Sequence, residues 1–331
     1  IHQRAATLFG PKVNPNIPHL MVTFDSDLAG NYAKVKALVM AGMNVARINC
    51  AHDGPDIWRR MIINVRKASR ATGHVCKIYL DLAGPKIRTA ILGKGRKKGR
   101  LKLSPNDRFI LAEPGASINP KDKVVGCTLP GVVKDLRPGD RVLFDDGLFE
   151  AVVEKADNLL ATLRLNRVSA PKPHLKPEKG INFPDTELSV GSLTEFDKSV
   201  LPFALAHADI VGFSFVRQTQ DVAELQKLLR RPKGNSLPLV LKIETYDAVQ
   251  NLPALLLQGM AEPAFGVMIA RGDLAVEIGF ERLSEVQEEI LWICEAAHVP
   301  VIWATQVLET LNKSGIATRS EGTDAARAAH A

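Results

Sequence analysis

From Leu20 onward, short apolar runs alternate with stretches whose apolar positions recur at a helical period. A short apolar run bounded by Gly or charge reads as a buried strand, and the longer period as an amphipathic helix. Leu20–Phe24, Val45–Cys50 and Lys77–Leu82 are therefore expected strands. Between them the pattern predicts helices over Asn31–Met40, stopped at Gly42, and Ile57–Ala71, with Ile57, Met61, Ile62 and Val65 on one face. The rhythm breaks between Ala90 and Lys179. Here the short alternating runs Asp107–Leu111, Arg141–Phe144, Phe149–Val153 and Leu159–Leu165 are separated by turn signals at Pro138-Gly139-Asp140 and Asp145-Asp146-Gly147. That is the pattern of a small all-β domain. The α/β rhythm then returns. Thr194 caps a helix to about His207, and strands are expected at Ile210–Phe215, Leu239–Glu244, from Val267 to the break at Arg271, and at Val301–Thr305. Helices are expected at Asp221–Leu229, Ala248–Leu257, Leu283–Ala297 and from Gly322 to Ala331.

Alternating strands and helices imply a parallel sheet with right-handed crossovers. The expected fold is an α/β (β/α)8-type TIM barrel carrying an inserted small β-barrel lid domain. Seven strands are counted, and the eighth, apparently missing from this chain, is expected beyond Ala331. An open doubly wound sheet is the alternative. The expected division is an N-terminal arm (1–18), a catalytic barrel (19–90 plus 178–331) and a lid (91–177). The arm carries Pro11, Pro15 and Pro18 and little periodicity, and a start at Ile1 rather than Met reads as a trimmed form.

Composition changes this picture little. The net charge of +7 comes almost wholly from Lys94, Arg96, Lys97, Lys98, Arg100 and Lys102, a basic run expected to be a solvated hairpin, so no nucleic-acid partner is read from it. No apolar run approaches the roughly 20 residues that span a bilayer, and no membrane partner or leader is expected. Cys50, Cys76, Cys127 and Cys294 are scattered, as buried free thiols of a reducing cytoplasm are.

The candidate chemistry sits where strands end. Val267–Glu277 breaks at Arg271-Gly272-Asp273, placing a carboxylate beside a helix start with free backbone N–H groups. On the run Leu239–Glu244, Lys242 and Glu244 share a face because side chains repeat every second residue. A lysine and carboxylates at adjoining strand ends suit metal-assisted handling of an anionic substrate. They also suit two ordinary strand-end ion pairs.

Further segments carry a resemblance. Gly42–Asn49, Leu80–Thr89 (L-D-L-A-G-P-K-I-R-T), Asp145–Leu148, Lys179–Asn182, Lys242-Ile243-Glu244, Ala270–Leu274 and Ala304-Thr305-Gln306 follow in the order and spacing of pyruvate kinase signature segments, across residues 20–327. The chain resembles a divergent pyruvate kinase lacking the C-terminal regulatory domain. The resemblance implies phosphoryl transfer from phosphoenolpyruvate to ADP, giving pyruvate and ATP, with Mg²⁺ or Mn²⁺ held by Glu244 and Asp273. It implies catalytic roles for Lys242, Arg47 and Thr305, and a substrate site at Ala270, Arg271, Gly272, Asp273 and Thr305. Nucleotide contacts fall to Arg88, His52 and Asn49. A homo-oligomer is compatible with it.

The departures are specific. Thr23-Phe24-Asp25-Ser26 replaces a Thr-Ile-Gly-Pro-like loop, Ala51 a serine, Leu82 a threonine and Ala83 a lysine. Of four positions that hold K⁺ in many members, Asn49 and Asp81 keep a side-chain oxygen while Ala51 and Leu82 have none. Lys86 stands where potassium-requiring members carry glutamate. It is expected to replace the monovalent cation by contacting Asp81 and the substrate phosphates, so that K⁺ is not required. Two other functions fit the same barrel: a catalytically silent metabolite-binding relative, and a metal-dependent aldolase of pyruvate chemistry. Neither needs Lys242 and Arg47 together.

Overall fold

The computed structural model describes residues 1–93, 96–97, 99–170, 172–231, 236–262 and 264–329. It falls into two compact units. The first comprises Ile1–Gly84, Ser192–Gly272 and Leu283–Ala331; the second comprises Pro85–Gly191 and Asp273–Arg282.

The first unit is built on seven parallel strands: Leu20–Thr23, Met43–Asn49, Lys77–Asp81, Ile210–Phe213, Leu239–Ile243, Phe265–Ala270 and Val301–Ala304. Each pairs with the next in chain order. A doubly wound sheet reverses direction at a switch point, whereas this order never does, which is the order of a (β/α) barrel. Strands buried along their length, such as Leu239–Ile243 and Phe265–Ala270, read as continuous apolar runs because both faces are covered. The intervening helices follow their sequence signals. Asn31 caps Tyr32–Met40 by accepting from the Lys34 N–H, and Pro55–Thr72 buries Trp58, Met61, Ile62 and Val65 before ending at Gly73 in the left-handed region.

The N-terminal arm is more structured than its sequence suggests. His2–Phe9 is a helix, and its Leu8 and Phe9 are buried with Val45, Tyr79, Ile210, Val240 and Met268, one apolar layer drawn from five strands. Two apolar residues at the end of an eight-residue helix leave almost no periodic trace in the sequence.

The second unit carries a seven-stranded sheet, in which Thr89–Gly93, Arg108–Ala112, Lys123–Cys127, Arg141–Phe144, Phe149–Ala156, Leu160–Val168 and Ile181–Asn182 surround their own core, and a smaller three-stranded sheet. Its borders lie outside those expected from the sequence, because pairing sets them. Thr89–Gly93 pairs with Lys123–Cys127, and Ile181–Asn182 with Arg141–Phe144. Segments 85–90 and 178–191 thereby join this unit. The basic run forms the expected hairpin, Arg96–Lys97 against Arg100–Lys102; Lys94 and Lys98 lie outside the described residues. So do His330 and Ala331, where the last helix, Arg319–Ala328, had been expected to continue.

All four cysteines are free and buried. Burial pushes the Cys76, Cys127 and Cys294 thiols up to about 12, so none is a poised nucleophile. Among the described residues no helix is long and apolar enough to cross a membrane.

Candidate active site

The C-terminal ends of the first unit's strands gather a buried set of charges. Arg47, near the end of Met43–Asn49, donates from Nε to Asp81 Oδ2 at 2.8 Å, and also from Nη2 to the same oxygen. Its Nη1 donates to Thr23 Oγ1 at 3.0 Å. Asp81, the last residue of its strand, is fully buried. Two strands further on, Lys242 Nζ donates to Ser214 Oγ at 2.8 Å and pairs with Glu244 Oε1 at 3.0 Å and Asp81 Oδ1 at 3.4 Å. Glu244 Oε2 accepts the Phe215 backbone N–H at 2.6 Å, and Ser214 Oγ donates to the Leu82 carbonyl at 2.6 Å.

Register explains why these groups meet. Asp81 lies opposite Gly212, which in turn lies opposite Val240, and Lys242 is two residues beyond Val240 on the same face. Two cations and two carboxylates balance, which is what allows them to be buried. For Lys242, burial opposes the charge, but Asp81 and Glu244 more than offset it and hold the ammonium above its ordinary range. Burial likewise opposes the Arg47 charge, and Asp81 offsets it. Burial and then the Asp81 charge drive the Tyr79 phenol well above its ordinary value.

The remaining sequence candidates divide between other places. Asn49 Oδ1 accepts the Ala51 N–H at 3.0 Å, and His52 is exposed on the following turn. A helix does begin at Arg271 (Arg271–Ile278), after the strand ending at Ala270, with Gly272 exposed in its first turn. The Arg271 side chain is already engaged: it donates to the Ala304 carbonyl at 2.8 Å, to the Thr305 carbonyl and to Asp324, and it stacks on Trp303. Thr305 is exposed and held at φ 70°, a left-handed backbone that a β-branched residue adopts only under strain.

In the second unit, Lys86 Nζ donates to Asp273 Oδ1 at 2.7 Å, and Arg88 Nη1 to the Glu178 carbonyl at 3.0 Å. The expectation for Lys86 named Asp81 as its partner. Its carboxylate partner in the structure is Asp273, while Asp81 takes its cations from Arg47 and Lys242. Among the described residues no group of three or more His, Cys, Asp or Glu side chains forms a metal cage. Ser214, the Phe215 N–H and Asp324 were not foreseen. A serine inside the apolar run Ile210–Phe215 was a faint signal for Ser214; nothing in the sequence marks Asp324.

The arrangement places an ammonium and a guanidinium, each backed by carboxylates, at the barrel face where such folds bind substrate. Residues 9–330 match the family model described as pyruvate kinase, barrel domain. The chain is 32% identical over 300 residues to the pyruvate kinase of Geobacillus stearothermophilus, covering 89% of this chain and 48% of that protein. It is 32% identical over 295 residues to that of Staphylococcus aureus (strain USA300), with the same coverage. A crystal structure of a pyruvate kinase from Cryptosporidium parvum superposes with a TM-score of 0.83 at 25% identity, covering 98% of this chain and 65% of that one. The chain spans about half the length of the curated relatives it matches. A family model covering nearly every residue, on a sheet whose strands follow in barrel order, leads to one assignment: this chain belongs to the pyruvate kinase family.

Proposed function

We propose that this protein transfers the phosphoryl group of phosphoenolpyruvate to ADP, giving pyruvate and ATP. The observation that carries the reading is the buried, charge-balanced set Arg47, Asp81, Lys242 and Glu244 at the strand ends. Phosphoryl transfer leaves little covalent work for the protein and depends on positioned charge. As the bond to the enol oxygen breaks and an ADP oxygen takes the phosphorus, Lys242 and Arg47 face the negative charge of the transferring group. Lys242 then steadies the enolate, and Thr305 helps deliver a proton to its carbon through water. The helix start at Ala270–Asp273 offers backbone N–H groups to the substrate carboxylate. Arg88, His52 and Asn49 are assigned to the nucleotide.

Glu244 and Asp273 supply the hard carboxylate oxygens that suit Mg²⁺ or Mn²⁺, and an ionised carboxylate oxygen has lone pairs beyond the one its lysine uses. A cation held there would supply charge neutralisation at the phosphoryl group. Each carboxylate meanwhile holds a lysine, Lys242 on Glu244 and Lys86 on Asp273.

Glu244→Gln and Asp273→Asn each remove an anionic oxygen. Each is expected to weaken Mn²⁺ binding and to lower turnover by orders of magnitude. Titrating Mn²⁺ by its paramagnetic resonance signal tests this. A variant that binds Mn²⁺ and turns over like the parent removes that residue from the metal site.

A further inference from the structure

The buried hydrophobic cluster of Leu8, Phe9, Val45, Ile210, Val240 and Met268 also contains Tyr79, two residues before Asp81 on the same strand, and with it a phenol hydroxyl. Tyr79 is fully buried, and its hydroxyl has no hydrogen-bond partner among the described residues. Phenylalanine would fill the same volume without taking a polar group out of water.

The space for that hydroxyl is made by Gly212. A Cβ there would lie 2.1 Å from the Tyr79 hydroxyl oxygen and 2.7 Å from Asp81 Oδ1, so both atoms occupy the notch that the missing side chain leaves. Asp81 Oδ1 is the other buried atom that makes no hydrogen bond among the described residues, although the Lys242 ammonium stands at ion-pair distance. Its partner oxygen Oδ2 is bonded by Arg47, but Oδ1 accepts no hydrogen bond and lies 3.4 Å from Lys242 Nζ. One notch thus holds a hydroxyl without an acceptor and a carboxylate oxygen whose lone pairs are taken up by no hydrogen bond, only by the ion pair with Lys242.

We infer that Tyr79 is a positioning residue for the active site, its hydroxyl donating to Asp81 Oδ1 in the notch over Gly212. Three consequences follow for the charges above. Asp81 is fixed with Oδ2 toward Arg47 and Oδ1 toward Tyr79. A carboxylate oxygen that already accepts a hydrogen bond attracts a neighbouring ammonium less. Lys242 then shares Asp81 with Tyr79, is held by Glu244 and Ser214 as well, and keeps its charge available to an anionic ligand. This last consequence rests on the phosphoryl-transfer reading; the hydrogen bond itself does not.

Tyr79→Phe keeps the ring and deletes only the hydroxyl. The chain has three tyrosines, so a Raman difference spectrum, parent minus Tyr79→Phe, isolates the Tyr79 ring doublet, whose intensity ratio reports hydrogen bonding of the phenol. An intensity ratio typical of a phenol donating strongly to a carboxylate is expected. The ratio of an unbonded phenol overturns the inference. Stability gives a second readout of opposite sign for the two cases. Loss of a hydrogen bond to a charged group lowers the folding equilibrium constant roughly tenfold, while loss of an orphan hydroxyl leaves it unchanged or raises it. Where Asp81→Ala folds, the Tyr79→Phe effect is expected to vanish in that background, and its persistence counts against the pair. In steady-state kinetics, Tyr79→Phe is expected to lower kcat/KM for phosphoenolpyruvate roughly tenfold, mainly through KM. A Raman signature of a bonded phenol with unchanged kinetics refutes the positioning role alone, and absence of pyruvate formation by the parent refutes the phosphoryl-transfer reading instead.

Discussion

Lys86 and Asp273 form an ion pair of 2.7 Å in which the lysine side chain is 32% exposed, so its charge is only partly screened by water. Of the four positions at which the resemblance implies a monovalent cation, Ala51 and Leu82 offer no side-chain oxygen. The fixed positive charge is held at Asp273. Activity is expected to be nearly independent of K⁺. Lys86→Glu sets a carboxylate against Asp273, and like charges at such a distance are expected to lower turnover by roughly tenfold or more. Rates in tetramethylammonium buffer without K⁺ check this: strong activation by KCl, or a fully active Lys86→Glu protein, would show that the lysine does not do the ion's work. At this scale the sequence was informative about residue types and less so about partners. Lys242 and Glu244 were legible because charge at the end of an apolar run is costly unless used, and Arg47 only through the family resemblance. Their links to Ser214 and Asp81 depend on register between strands remote in sequence, which no local pattern encodes.

The helix Glu195–His207 shows the same division one level up. Its start was legible: Thr194 accepts the Asp197 N–H, and Asp197 accepts the Thr194 N–H, a reciprocal capping box. Its second task was not. Asp197 is fully buried, and its Oδ1 accepts the Gly84 N–H at 3.2 Å, pinning the turn that follows the Asp81 strand. Gly84 has φ 66°, and a Cβ there would meet Ser214 and the Phe215 ring at 2.8 Å, so the turn needs both glycine and an anchor. Asp197→Ala removes the anchor and half of the box and leaves buried donors unmatched. A loss of about 2–3 kcal/mol in unfolding free energy is expected, measurable by urea denaturation. A loss below about 0.5 kcal/mol would mean that the turn is held by other contacts. The N-terminal helix was missed for the opposite reason: its contribution is made by Leu8 and Phe9 alone, and three prolines follow it closely.

For the whole molecule, strand–helix alternation narrowed the architecture to two parallel folds, and the unbroken chain order of the seven strands selects the barrel. The inserted β unit was visible as a change of period, but its borders were not. They follow from pairings such as Thr89–Gly93 with Lys123–Cys127, and they carry Asp273–Arg282 into the second unit although the chain there reads as barrel. Within that unit Asn182 Nδ2 donates to Glu277 Oε1 at 2.8 Å, and Lys86 pairs with Asp273. The central claim is that the buried charges at the strand ends of this fold carry out phosphoryl transfer. A coupled assay for pyruvate formation from phosphoenolpyruvate and ADP, with Mg²⁺ supplied, tests it most directly when run on the parent and on Lys242→Met. Pyruvate is expected from the parent, with a loss of at least roughly a hundredfold in a Lys242→Met protein whose circular dichroism is unchanged. No pyruvate from the folded, metal-supplied parent, or undiminished turnover in folded Lys242→Met, would contradict the account.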